Sequence, residues 1–344
     1  MDAGPKRNLK LRYGLLGGAV IFVIFAWCAA WFYLSTALKE QIATAVAKPI
    51  GPGQVISCPD LSVAGFPFRF EVSCTEPALS VQPAATVEVA GLRTVSLVYK
   101  PWHLIAEFAA PLTVTDHANG MNLLAKWQTA RSSLIFGTDR LKQFDLSVED
   151  PAIGPYAADD IAVTADKAEI HTRPLPGGSE TLEAFVSLDR LLARQNGVQP
   201  SVIDVRFHVQ LPNGMQLMQG ADLMSLVNGD ERIPVKLVWA SVRDEQSQAE
   251  LSGDLEIDLL GYMHGKATLT VAGSENLARQ AIIMFPQAEN TVRLVEGAAM
   301  SFGERFKDEN GVEKIRLPLT IQNGRVSVGL VPLMVLPPVF LGGR

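Results

Sequence analysis

A chain of 344 residues, 48% of them hydrophobic and 19% charged, holds enough apolar material for a sizeable core, which excludes an intrinsically disordered protein. The formal charge of −6 is unevenly spread: residues 1–12 carry four cations and Asp2, a net of +3, so the remainder carries −9. That acidic remainder lacks the basic footprint of nucleic-acid binding and argues against electrostatic adhesion to anionic lipid.

The first element is an uninterrupted apolar run from Tyr13 to Leu34, preceded by Lys6, Arg7, Lys10 and Arg12. No charged side chain occurs between Arg12 and Lys39, and a 22-residue helix at 1.5 Å per residue spans roughly 33 Å, a bilayer's hydrocarbon thickness. The run predicts a membrane anchor. The excess of Lys and Arg before it predicts a cytoplasmic N-terminus and an exported remainder, and Trp27, Trp31 and Tyr33 suit the distal interface. The competing reading is a cleaved signal peptide ending near Ser35, Thr36 and Ala37; against it, the run exceeds the ~7 to 15 residues of a signal-peptide core. Cys28 follows the bulky Trp27, where a lipoprotein site needs a small residue.

The expected organisation is therefore a cytoplasmic tail (1–12), a transmembrane anchor (13–34), a helical linker (35–50) and a periplasmic β-rich domain (51–344). Ser35 to Lys48 reads as a helix continuing out of the membrane, stopped by Pro49 and the Gly51-Pro52-Gly53 linker. Cys58 and Cys74, the two cysteines outside the anchor, lie 16 residues apart in a segment expected to be oxidising. A disulfide between them closes a loop worth about 3 kcal/mol on the chain-entropy estimate. Two buried thiols are the alternative, and a zinc site lacks the necessary ligands nearby.

Beyond Cys58 the signal is mostly period two. Phe66, Phe68, Phe70, Val72 and Cys74 alternate with Pro67, Arg69, Glu71 and Ser73, as a half-buried strand requires. The pattern recurs in Ile203–Val209, in Leu251, Leu255, Ile257 and Leu259, and in Ile315, Leu317, Leu319 and Ile321. Each implies a sheet with one apolar and one wet face. Six Asn-Gly pairs, at 119, 196, 213, 228, 310 and 323, suit tight hairpins, so an antiparallel meander is expected. Ser274 to Phe285 and Asn290 to Phe306 read as amphipathic helices covering an end or edge of the sheet. Val326 to Leu341 is uncharged, but Pro332, Pro337 and Pro338 break it, so it reads as a terminal hairpin and docked tail. The fold class is mainly β: a transmembrane helix plus an elongated, curved antiparallel sheet with a few helices.

The anchor, the block Cys58-Pro59-Asp60 through Gly65-Phe66-Pro67-Phe68-Arg69 to Cys74, and the closing Leu317-Pro318-Leu319-Thr320, Asn323-Gly324-Arg325 and Pro337-Pro338 resemble the alphaproteobacterial domain of unknown function 2125 family. Leu251-Ser252-Gly253-Asp254-Leu255 through Gly261 and Gly265 to Leu269-Thr270-Val271 is similar, more distantly, to strand pairs of AsmA-like envelope proteins. The resemblance implies an inner-membrane protein with a periplasmic β domain and, through the AsmA-like relatives, a role in envelope or lipid homeostasis. It implies no active-site residues.

Chemistry is sparse. His103, His117, His171, His208 and His264 lack zincin spacing; Asp116-His117 reads as a solvated turn, and His208 as an exposed residue on a polar strand face. Gly261 to Lys266 is one residue short of a phosphate loop and reads as a hairpin loop. Asp254, Glu256 and Asp258 line one strand face, which suits either solubility or calcium, the former preferred. No catalytic, cofactor or metal residue is assigned. The expected functional surface is an apolar sheet face drawn from Phe66, Phe68, Phe70, Leu251, Leu255, Ile257, Ile315, Leu317 and Leu319, forming a trough for the acyl chains of membrane lipids. Two sheets packed on each other give the same alternation without a trough. That alternative suits a periplasmic scaffold recruiting envelope proteins through a strand edge, and an enzyme with dispersed residues is a third reading.

Overall fold

A computed structural model describes residues 9–339 apart from 50, 52, 118–119, 139, 157–161, 178–179, 194–201, 228 and 285. Lys6, Arg7, the Asn196-Gly197 pair, Asn119, Asn228, Phe285 and Leu341 lie outside the described residues.

One continuous helix, Leu9–Val46, takes in the apolar run and the segment after it. Residues 12–46 are long and apolar enough to cross a membrane, and most of them are exposed. Docking begins part-way along: Val23, Ile24 and Trp27 meet Phe66 and Phe68, Trp31 and Ser35 are buried, and Leu38 and Ile42 follow on the same face at helical spacing.

The described strands form a single antiparallel sheet of 21 segments. Its spine runs strand by strand from Arg69–Thr75 through Ala85–Leu97, Lys100–Asp116, Thr129–Phe136 and Leu141–Glu149. It continues through Lys167–Pro174, Leu182–Ala193, Ile203–Leu211 and Arg232–Arg243. Gln248–Asp258, Met263–Ala272, Glu313–Gln322 and Arg325–Val328 complete it. Two separate facing sheets do not occur among the described residues. The accessible surface is 21731 Å², whereas a compact monomer of this mass exposes roughly 13,700 Å². A long unaccompanied helix and a sheet one layer thick account for that excess.

The sheet carries a crease. Asn122–Lys126 and Thr129–Phe136 pair with successive halves of Lys100–Asp116, so they are one strand broken at Trp127-Gln128. Equivalent breaks fall at Glu76, Asp150, Ala165-Asp166 and Arg190, and three of these residues have left-handed backbones (φ 47°, 51° and 52° at Glu76, Asp150 and Arg190). Backbone bonds join the breaks in neighbouring strands: Glu76 to Ala90, Gln128 to Glu149, Asp150 to Asp166, and Asp166 to Asp189. Aligned breaks and bulges thus mark one level across the strands from Arg69–Thr75 to Leu182–Ala193, the usual way to curve a sheet.

Several local expectations change. The strand expected from Phe66 starts at Arg69, because Gly65 (φ 104°) turns the chain and the Arg69 N–H closes back on the Gly65 carbonyl. Phe66 and Phe68 therefore leave the alternation. The helix expected to reach Phe306 stops at Phe302: Gly303 caps it onto the Ala299 carbonyl, where a Cβ would strike Ile315, and Glu304–Lys307 becomes a strand. Asn323-Gly324 makes the expected two-residue hairpin, with Gln322 opposite Arg325 and both central φ positive. Asn213-Gly214 instead opens a 3-10 turn: only Asn213 is left-handed (φ 58°), and Gly214 sits where a side chain would meet Leu182 and Leu211.

Candidate functional site

Residues opposite each other in an antiparallel pair share a side of the sheet, so the registers sort the side chains into two faces. One row reads Cys74, Leu92, Phe108, Ala130, Val148, Ala168 across the first strands of the spine. It continues Leu188, Val205, Val242, Ala249, Val271, Ile315. Every member is apolar. The row shifted by one residue reads Ser73, Arg93, Glu107, Arg131, Ser147, Glu169, then Ser187, Arg206, Ser241, Glu250, Thr270, Arg316. Every member is polar. At about 4.8 Å per strand, each row runs roughly 50 Å.

The apolar side is the inner one. Ala106, Ala130, Leu182, Val209, Leu237, Ala267 and Leu317 are buried and all belong to it, whereas Ser187 is the buried residue on the polar rows just traced. The polar side neutralises itself. Arg69, Glu71, Arg93, Glu107 and Arg131 form a chain of ion pairs across four strands, and Lys167 bridges Glu149 and Glu169. The Arg93 guanidinium holds the Glu71 carboxyl below its ordinary range. At Glu183 burial pushes the carboxyl up, but donors from Arg173, His208 and Gln210 outweigh it and leave the group lowered. Asp258 follows the same balance: burial raises it, while His264 and the Tyr262 and Leu260 N–H groups lower it further.

Each histidine has a partner of its own: Ser133 for His103, Thr86 for His117, Asp145 for His171, Glu183 for His208 and Asp258 for His264. His208 is on the polar face as expected but is not exposed, its side chain being 20% accessible beneath Glu183 and the Trp239 edge. Asp258 organises the Leu259–Tyr262 turn and Glu256 pairs with Arg232, so these carboxylates serve turn and strand contacts. Among the described residues no group of three or more His, Cys, Asp or Glu gathers as a metal site would require.

Three covers lie over the inner face, and they differ in closeness. At the C-terminal end helix Glu289–Phe302 lays Ala298 and Ala299 on Leu317, Leu319, Val326, Val328 and Leu333 in a filled core. At one strand end the 3-10 turns Gly214–Gln219 and Leu223–Leu226 bury Met215, and Leu226 packs with Ile233. At the N-terminal end the long helix, through Leu34, Ala37, Leu38, Gln41, Ile42 and Val46, stands off from Phe70, Val72, Leu92 and Leu104 and leaves a cavity of about 690 Å³. Cys58 and Cys74, joined as a disulfide with Cα atoms 5.5 Å apart, form part of that cavity's wall. Between these covers Leu134, Leu146, Ile170, Val186 and Leu188 are only half-buried, and Phe207 is 38% exposed.

A family model described as an uncharacterized protein conserved in bacteria (DUF2125) matches residues 31–337. The chain belongs to the DUF2125 family. Neither a curated protein nor a solved structure matches it. The DUF2125 match opens at Trp31, the residue where the helix first becomes buried against the sheet.

The nine residues expected to form an acyl-chain trough are divided by this DUF2125 structure. Phe70 lies on the inner face at its membrane-proximal end. Leu251, Leu255, Ile315, Leu317 and Leu319 share that face, but helix Glu289–Phe302 occupies it, and Ile257 packs against Leu226 and Ile233. The protein's own core takes up these six. Phe66 and Phe68 are not on the face; they pack against the long helix. The uncovered stretch comes instead from strands between Thr129 and Val209. Alternation in Leu141–Glu149 and Leu182–Ala193 was the available signal for it, and only the register shows that it joins Phe70 to Leu251 in one surface.

Proposed function

We propose that this DUF2125 protein serves envelope or lipid homeostasis by holding acyl chains of membrane lipids along the inner face of its sheet. The carrying observation is the twelve-strand apolar row, uncovered in its middle and continuous with the cavity beside the long helix. Each methylene kept from water contributes roughly 0.8 kcal/mol, so an acyl chain lying on this surface retains much of what it would lose in water. Transfer from bilayer to sheet exchanges one apolar environment for another, and the polar outer face keeps the carrier soluble meanwhile.

One candidate span among the described residues, together with a disulfide in the remainder, fits a single-pass membrane protein. We place it in the inner membrane with its N-terminus cytoplasmic, on the strength of the Lys and Arg preceding the span and the oxidised cysteine pair beyond it.

The test is lipid mass spectrometry on full-length protein purified in mild detergent, combined with a photo-crosslinking residue at Phe207 or, on the outer face, at Ser241. Stoichiometric phospholipid, crosslinked from position 207 and not from 241, is the expected result. Absence of lipid together with a co-purified envelope protein would replace this reading with a scaffold.

A further inference from the structure

The contacts between the long helix and the first strands fix how deep part of the β domain sits. The stretch free of charge runs from Tyr13 to Leu38, and a span needs about 20 residues. Any 20-residue window within 13–38 contains residues 19–32, so these lie within the hydrocarbon in every permitted register. The β domain touches that portion directly. Trp27 Nε1 donates to the Pro67 carbonyl at 3.1 Å, and Trp31 Nε1 to the Arg69 carbonyl at 3.2 Å. Phe66 stacks on Phe32 at 5.6 Å, and Phe70 on Trp31 at 5.8 Å. Val23, Ile24 and Trp27 line an open pocket of about 450 Å³ with Phe66, Phe68 and Tyr99.

We propose that the Gly65–Phe68 turn and the neighbouring Val98-Tyr99 hairpin tip are inserted into the adjacent membrane leaflet, where phospholipid acyl chains surround them. Their side chains suit that solvent. Phe68 is 63% exposed, Tyr99 71% and Trp102 50%, an unusual concentration of bare aromatic surface for a domain in water and the composition found at membrane interfaces. Arg69 and Lys100 follow each tip, placed to reach the headgroups by snorkelling.

Non-helical backbone survives at this depth only where its polar groups are satisfied within the protein. Here the Arg69 N–H bonds the Gly65 carbonyl, the Val98 N–H bonds the Phe68 carbonyl, Pro67 has no N–H, and the two indoles take the Pro67 and Arg69 carbonyls. The insertion rests on the helix being a span. It also deepens the acyl-chain reading without depending on it: Phe70 stacks on Trp31 and lines the 690 Å³ cavity, so a chain beside Phe68 meets the inner face without crossing water.

The experiment uses full-length protein carrying Cys28→Ala, leaving Cys58 and Cys74 as the disulfide, with Phe68→Cys or Tyr99→Cys labelled by an environment-sensitive fluorophore. Glu245→Cys, in an exposed turn remote from the tip, is the control. In vesicles of phosphatidylethanolamine and phosphatidylglycerol, blue-shifted emission at positions 68 and 99, quenched by chain-borne nitroxide lipids, is expected, with position 245 unaffected. Two variants guard against one that fails to fold. Emission at both tip positions matching position 245, without quenching, overturns the insertion. Quenching at 68 and 99 with no lipid crosslinked from Phe207 keeps the inserted tip and removes the acyl-chain carrier, so the two failures are separable.

Discussion

The same apolar face is closed by a helix at each end of the sheet, and the two closures are opposite in kind. At the C-terminal end Ala298 and Ala299 let the helix backbone approach, and the space fills until Leu317 is fully buried. At the membrane end larger side chains, Leu34, Leu38 and Ile42, hold the helix away and leave 690 Å³ between it and Phe70, Val72 and Leu92. Close packing contributes stability, whereas an apolar cavity forfeits contact energy and persists where the rest of the fold can carry that cost. The contrast separates a filled end from an unfilled one.

Mutations should divide along that line. Leu317→Ala, in the filled end, is expected to destabilise by about 3 to 4 kcal/mol, read as a lowered denaturation midpoint of the detergent-solubilised protein, while Phe207→Ser in the open stretch shifts it far less and lowers bound lipid. Equal losses at both positions would mean that the middle of the face is packed as tightly as its end. Replacing Cys58 and Cys74 by Ser should cost about 3 kcal/mol, with hydrogen exchange rising in Ser62–Thr75 and remaining unchanged in Glu313–Gln322. Uniform loss of protection would show that the two ends unfold together.

Overfilling sharpens the comparison further. Ala299→Leu should cost roughly 1 to 3 kcal/mol by forcing the helix off Leu317, whereas Ala37→Leu, pointing into the membrane-end cavity, should leave the midpoint unchanged or slightly raised and reduce the lipid recovered. A destabilising Ala37→Leu would argue against free space there.

The smallest effect belongs to the outer face. The carboxyls of Glu71, Glu183 and Asp258 are lowered in the folded state, so the native protein binds fewer protons than the unfolded chain near their ordinary values. Their stabilisation is complete above about pH 4.5 and is lost as pH falls through the lowered folded values. A melting temperature flat from about pH 7 to 5 and falling below about pH 4 is expected. Glu183→Gln should blunt that fall without altering any bound lipid, because Glu183 lies on the face opposite the apolar row.

Alternation made the two faces legible in advance: Ile203–Leu211 and Gln248–Asp258 have the expected polarity along each strand. So did the terminal hairpin at Asn323-Gly324, where two positive φ values are a local requirement. The helix ending at Phe302 was less legible, because its stop depends on Ile315 lying against Gly303 from a strand farther along the chain. The displacement of Phe66 and Phe68 was hidden for a similar reason. Their spacing fits a strand, but Trp27 and Trp31, about 40 residues earlier, supply the partners that hold them elsewhere.

By itself the sequence determined the apolar span, the mainly antiparallel sheet and the sidedness of its strands, because each depends on composition or on periodicity within a short window; it named Cys58 and Cys74 as candidates, and their 5.5 Å Cα separation in the fold decided the bond. Tertiary structure alone decided which strands are neighbours, where the aligned bulges bend them, which part of the apolar face the protein covers with its own helices, and how deeply the Phe66–Phe68 turn sits against the span. Those outcomes depend on contacts between residues distant in the chain. Side-chain alternation gives every strand an inner face, but only packing between strands and helices determines which inner faces remain open.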